Sequence, residues 1–506
     1  MKRIKMSAVA MLMLSSSVYA IDVNTNNPSD IYSLPSPEPT EKLKISEHKM
    51  KAIGHIKFWY QTLNHGGVDG EAGWFTRQAD NNAQMNDWMS VSAHLKVTGD
   101  VSDTFSYGAA VQGATSFGTN SYLVGSEAVI TPDFGGATTD SGSDKIPFWF
   151  SEMYGIYTTG NTKVKVGRME LNTPLVYTEK WNAVSNTFEA MTITNTDIPN
   201  TKLMGMWIAK GNGATNNFIE APQVFGAEET FNGFMQYNDV NGTVSRAGML
   251  VAGVKNNSIS NMPLQAWYYI APDSVQAFWL QADVKGKSLG FLDKPLLQLI
   301  GAGNGTTGAL KSAIEGGAPF HSTLVTNTQR ETKDTYALAT KVSAAIGGVT
   351  LYGAASKTST GNLPVANMAT NYKKTKLPTA SVFNDGMVAA QPGTTSFKIG
   401  ASVKMGSIGS LATSYGSYTV GSNTGYLQPN AFSGGPSSMG YVANALGEDL
   451  DLNEFDLIYS TKYRDVKMKA IYVYVDQTYV PGSTNTAGSY GDADNHILRL
   501  IASLAF

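Results

Sequence analysis

The chain has 506 residues, 15% of them charged and 42% hydrophobic, with 37 basic against 40 acidic side chains and no Cys. A charged fraction well below the soluble average of roughly 25%, beside generous aromatic content, excludes a disordered chain, a coiled coil and a collagen-like fibre. The near balance of charge gives no global positive field for nucleic acid, and the lack of Cys removes thiolate metal sites, thiol catalysis and disulfides together.

Residues 1–20 read as a secretory signal. Lys2, Arg3 and Lys5 form a basic start, residues 6–14 an apolar core, and Val18-Tyr19-Ala20 a small-residue cleavage site. Removing three basic residues leaves 34 basic against 40 acidic. Residues 21–49 carry Pro28, Pro35, Pro37 and Pro39 among polar neighbours, a density that blocks helix and ladder alike, and read as a flexible periplasmic arm. Beyond it no run of 18 apolar residues exists to span a bilayer as a helix.

From Met50 to Phe506 the dominant signal is period-two alternation, rich in Tyr, Val, Thr, Phe and Trp. It predicts eighteen strands. The first nine are 50–62, 85–99, 103–117, 148–159, 162–169, 187–196, 201–210, 243–254 and 263–271. The rest are 275–285, 295–303, 333–346, 348–357, 394–405, 408–420, 452–463, 465–477 and 495–506. Residues 231–239 are a further strand candidate left in a loop, and 307–316 is the clearest helical signal. Gaps after even-numbered strands are mostly tight, as at 160–161 and 406–407. Gaps after odd-numbered strands are mostly long, as at 118–147, 170–186 and 358–393, with 272–274 the exception. This alternation is that of an all-β, transmembrane antiparallel β-barrel of about eighteen strands with periplasmic turns. An even strand count puts both chain ends in the periplasm. In the last strand Leu498, Leu500, Ala502, Leu504 and Phe506 share one face, and a terminal strand finishing in Phe resembles the signal read by barrel-assembly machinery.

In lipid every backbone polar group is bonded internally, so strands this polar span only as a closed barrel with their second face in water or against a plug. A Lys or Arg facing lipid at mid-membrane costs roughly 2–4 kcal/mol, which assigns faces. Lys57, Lys96, Lys163, Lys165, Lys341, Lys398, Lys404, Lys462, Lys467, Lys469 and Arg499 then face the lumen. Phe105, Tyr107, Trp267, Tyr269, Tyr472 and Tyr474 face outward. This basic wall is either a track attracting anionic solutes such as carboxylates, or simply the charge any polar lumen needs. Eighteen strands enclose an aqueous channel by size alone.

Around the fifth gap, the runs V-G-R-x-E-L-N-T-P (166–174), N-T-F-E-A (186–190) and D-I-P-N-T (197–201) resemble the OprD-type and related major outer-membrane porins. The resemblance implies a monomeric or homotrimeric eighteen-strand barrel in a Gram-negative outer membrane, with an inward-folded third extracellular loop. Carried over, residues 171–186 become the constriction loop, Glu179 and Lys180 its solute-facing charges, and Arg168, Glu170 and Glu189 the charges at or beside it. The carboxylate-selective members use an arginine-rich ladder, whereas the chain after the signal has six Arg, so its ladder is largely lysine.

Other chemistry finds no frame. The six His form no HExxH, with His55 and His94 placed in the lumen or at a rim, and no G-x-S-x-G appears. The Gly-rich pieces 301–308 and 434–440 lack a phosphate-loop Lys and read as mobile extracellular loops. Oxygen-rich residues 69–87 and 421–436 match no EF-hand, so no metal or cofactor is assigned. The expected function is a porin for passive diffusion of small hydrophilic solutes and ions. The alternative is an adhesin or structural barrel acting through its long loops.

Overall fold

The computed structural model describes residues 50–67, 86–115, 148–180, 183–211, 232–233, 248–315, 332–370, 372, 374–386, 388–422, 449–478 and 493–506. The signal, the arm, and the oxygen-rich and 434–440 pieces lie outside the described residues, apart from positions at their edges.

Eighteen long strands make the wall. They are β1 Lys51–Gly67, β2 Asn86–Asp100, β3 Phe105–Thr115, β4 Phe148–Thr159, β5 Thr162–Met169, β6 Phe188–Asn195, β7 Thr201–Gly211, β8 Met249–Asn256 and β9 Leu264–Ala271. There follow β10 Val275–Lys285, β11 Leu292–Thr306, β12 Thr335–Ile346, β13 Val349–Thr358, β14 Thr394–Lys404, β15 Ser410–Val420, β16 Leu450–Tyr463, β17 Val466–Thr478 and β18 Ala493–Ala505. A two-residue piece, Asn232–Gly233, adds to the top of β7 and is all that is described of the extra strand candidate. Each strand pairs antiparallel with the next, and β1 pairs with both β2 and β18, so the sheet closes. Closure leaves no edge to aggregate or to face lipid unpaired.

The seam is finished at Phe506. Gly54 N–H donates to the Phe506 carbonyl at 2.8 Å and Phe506 N–H to that of Gly54 at 2.9 Å. The Phe506 ring lies where a Cβ on Gly54 would sit, 2.5 Å from its nearest carbon, so the close approach requires glycine.

Cross-strand partners share a face, and the faces sort as the lipid penalty demands. Ile56, Leu95, Phe397, Ile399, Leu498 and Leu500 are exposed outward, while their sequence neighbours are buried or half-buried inside. Phe105 and Tyr107 are outward and exposed. Tyr472 and Tyr474 share the outward face with Leu498 and His496. Trp267 and Tyr269 correct the expectation: they are inward, at 3% and 0% exposure. β9 carries no Lys or Arg to betray its lumenal face, and that face meets an apolar plug rather than water. The outward apolar band over a closed barrel makes the chain an integral outer-membrane protein.

The helical signal is met by α1, Gly308–Glu315. The Gly-rich piece 301–308 is a second correction, because residues up to Thr306 belong to β11, with Asn304 and Thr306 buried. The glycines there stand on the outward face, where the rings of Phe278 and Tyr336 cover Gly303.

Candidate functional site: the lumenal constriction

The third long loop does fold inward. Gly167, at φ +126°, ends the regular run of β5 where a Cβ would meet the Met153 carbonyl at 2.2 Å. The chain then turns tightly: Asn172 bridges Tyr177, Thr173 Oγ1 donates to the Val176 carbonyl at 2.6 Å, and Thr178 N–H to that of Leu171 at 2.8 Å. Leu171, Leu175 and Val176 bury in one cluster with Ile208, Met249, Val251, Trp267 and Tyr269 of the adjoining wall, β7 to β9. Fully burying side chains of this size contributes about 1.5–3 kcal/mol each. The returning limb is tied to the near wall, Ser92 Oγ donating to the Ala183 carbonyl at 2.6 Å and Gln112 Nε2 to that of Ser185 at 2.8 Å.

A second loop, residues 359–393 between β13 and β14, also enters the lumen, against the expectation of an extracellular loop. Leu363, Val365, Ala366, Met368, Tyr372 and Leu377 are at most 2% exposed and join the same apolar cluster as the third loop. The wall holds this loop by polar groups. Lys398 Nζ donates to the Ala380 carbonyl at 2.6 Å, Tyr418 Oη to that of Thr379 at 2.8 Å, and the Glu454 carboxylate accepts the N–H groups of Phe383 and Asn384 at 2.9 and 2.6 Å. Burial raises the carboxyl of Asp385 in this loop, against the opposing pull of Lys374 at 3.1 Å.

The two loops are latched to each other. Asn367 receives the Tyr177 N–H at 3.2 Å and donates through Nδ2 to the Tyr177 carbonyl and to Glu179 Oε1, both at 3.0 Å. Thr370 Oγ1 donates to the same carboxylate oxygen, and Met368 N–H to the Leu175 carbonyl at 2.9 Å. Lys376 Nζ donates to Asn172 Oδ1 and the Thr173 carbonyl at 2.7 and 2.8 Å and lies 4.4 Å from the Tyr177 ring centre. Burial, with Lys255 adding repulsion, lowers its pKa from 10.5 to about 8. Desolvation holds the Tyr177 phenol well above its ordinary value.

The residues expected at the constriction therefore divide. Lys180 pairs with Glu170 at 2.5 Å, and the Lys180 side chain is 65% exposed although it projects inside the barrel. Lys57 Nζ reaches the Lys180 carbonyl at 3.5 Å. Glu179 is 5% exposed and serves the latch rather than the water. Arg168 and Glu189 face the other way: they pair with each other across β5 and β6 at 2.9 Å, and Arg168 shares its face with outward Met153. Two residues apart, Arg168 and Glu170 would share a face if the strand went on, but β5 ends at Met169 and the chain turns inward with Glu170.

All eleven basic wall residues occupy inward register positions. Most border the lumen. Lys96 holds Glu152 at 2.7 Å, Lys165 sits 3.5 Å from the centre of the Tyr154 ring, and Lys341 is 4.6 Å from that of Tyr352. Lys398 and Arg499 are covered by the second loop. Lys398 lies 3.8 Å from Asp456, and Arg499 donates to Gln61 Oε1 at 2.8 and 3.0 Å beneath Phe383. His55 and His94, partners across β1 and β2, stack in the lumen with ring centres 5.0 Å apart. Asn367, Thr370 and Lys376 are the site residues that sequence reading missed. Their signal was the apolar run of residues 363–369, out of place in a loop bathed by water.

No protein-family model matches the chain, and no curated protein does. Solved structures of Pseudomonas aeruginosa do match. OccK9 (OpdG) aligns with a TM-score of 0.62 at 12% identity, over 90% of this chain and 99% of that one. OccK2 (OpdF) in complex with glucuronate gives 0.57 at 12%, over 90% and 98%. OccD3 (OpdP) gives 0.56 at 13%, over 90% and 91%. At such identities the likeness speaks for the fold, and the chain has the fold of the OprD-type outer-membrane barrels.

Proposed function

We propose that the chain is a porin, passing small hydrophilic solutes by passive diffusion with preference for anions. The observation that carries this reading is Lys180, 65% exposed on a loop folded into the lumen, because a cation deep in a barrel keeps that exposure only where water reaches it. Below it the inward lysines of β1, β2, β5 and β17 continue the positive lining towards the periplasmic turns. A low-dielectric wall focuses their field on the passage and raises the local concentration of anions. One of the barrels of like fold is a complex with glucuronate, a carboxylate.

The test is planar-bilayer recording of purified protein under a KCl gradient. Discrete conductance steps with a reversal potential of the anion-selective sign support the reading. Folded, inserted protein that stays silent would overturn it and favour a filled barrel acting through its loops.

A further inference from the structure

Across β9 to β14 the outward face is hollowed, enclosing about 990 Å³. Side-chain size alternates there both along each strand and across the register, so every small residue is bordered by large ones. Ala266, Ala282, Gly301 and Ala355 make the floor. Leu280, Leu299, Leu338 and Phe397 make the ridges, exposed by 51%, 47%, 72% and 59%. A second hollow, of about 530 Å³, continues towards the periplasm over Val284, Leu297, Val342 and Gly353 of the same strands.

Lys357, directly across from Leu338, stands at the loop end of the hollow as the last outward residue of β13. It is exposed and pairs with no carboxylate among the described residues. Asp334, which leads into β12, accepts instead from the Tyr336 hydroxyl at 3.2 Å. Tyr336 lies one outward position nearer the loops than Leu338, exposed, with its ring centre 6.3 Å from that of Phe278. Exposed aromatic rings at this end of the wall mark the outer membrane interface. Lys357 is also eight residues above Val349, which opens β13 at the periplasmic turn. On a tilted strand that is about 20 Å of an apolar band about 25 Å tall. The Lys357 ammonium therefore reaches the headgroup level of the outer leaflet, while the hollow lies below it among acyl chains. Acyl chains wet any outward surface, but a lysine at headgroup level adds about a fivefold preference for an anionic lipid. We propose that the hollow over β9–β14 holds an acyl chain of the phosphorylated glycolipid of the outer leaflet, lipopolysaccharide, with Lys357 Nζ donating to a phosphate of its head.

Native mass spectrometry of the purified full chain in detergent tests this, with lipopolysaccharide, the same lipid after phosphatase treatment, and phosphatidylethanolamine as probes. Wild type is expected to retain lipopolysaccharide about fivefold more tightly than its dephosphorylated form. Lys357→Gln should abolish that preference and leave retention of the dephosphorylated lipid as it was. Gly301→Leu fills the hollow from its floor, where a Cβ has no neighbour nearer than Leu338 at 3.9 Å. It is expected to lose both glycolipids while the yield of folded, heat-modifiable barrel is unchanged. Undiminished retention by Gly301→Leu, or a preference for phosphate that survives Lys357→Gln, would overturn the proposal. So would a wild type that retains phosphatidylethanolamine as tightly as lipopolysaccharide. A Gly301→Leu barrel that holds its glycolipid but changes its copy number would overturn it in favour of a protein neighbour.

Discussion

Lys180 and Glu170 stand in contact inside the barrel, so each single neutralisation exposes the charge of the other. A unit charge at contact distance is worth about 1 kcal/mol even in bulk water, roughly fivefold in ion partitioning. Lys180→Gln is expected to lower the anion-to-cation permeability ratio by up to that factor, and Glu170→Gln to raise it, both read as reversal potentials. Lys376 adds a pH dependence. Its folded pKa of about 8 lies below the free value, so raising the pH through 8 removes its charge and anion selectivity should fall, a step absent in Lys376→Gln. The linkage sign is that of a buried base: between pH 8 and about 10.5 the unfolded chain holds the extra proton, and stability rises with pH. Arg168 and Glu170 teach the limit of reading such residues from a motif. They are neighbours but one in sequence, and both charged, yet the inward turn of the chain after Met169 takes Glu170 into the lumen while the pleat leaves Arg168 outside.

The third loop and the loop of residues 359–393 act as one element because their contacts run mostly to each other and to the wall. Glu179 is the centre of the latch, accepting from Asn367 and Thr370 in a buried site. Leaving buried partners of this kind unpaired costs about 1–3 kcal/mol. Glu179→Ala is expected to loosen the plug, giving noisier and larger single-channel steps and faster proteolysis within residues 359–393, while assembly yield stays the same. Asn367→Ala should do the same from the other loop. If the two loops were independent, the double variant would show the sum of two effects; a shared latch predicts little beyond the larger one. The strands themselves were legible because period-two alternation survives wherever one face meets lipid. The second loop left only the apolar run of residues 363–369 as a sign of burial, and nothing local says which distant residues bury it.

For the whole molecule, closure depends on the β1–β18 seam, where thirteen cross-strand pairs end with the Phe506 ring over Gly54. Gly54→Val should displace that ring, and removal of Phe506 should delete two seam hydrogen bonds. Both are expected to lower the yield of heat-modifiable folded barrel without blocking export, measured by gel shift against total exported protein. By itself the sequence determined the strand count, the alternation of short and long connections, the closed antiparallel barrel, its outer-membrane setting and the inward placement of the lysines. Each of these follows from the bilayer, which punishes unpaired backbone and outward charge position by position, so the constraint is written locally along the chain. Only the tertiary structure decided that two loops share the plug, that Glu179 latches rather than meets solute, that Trp267 and Tyr269 pack inward, and that Arg168 and Glu189 face out. Those depend on which distant residues fill the lumen, and a pattern with a period of two residues holds no record of a contact between residues 179 and 367.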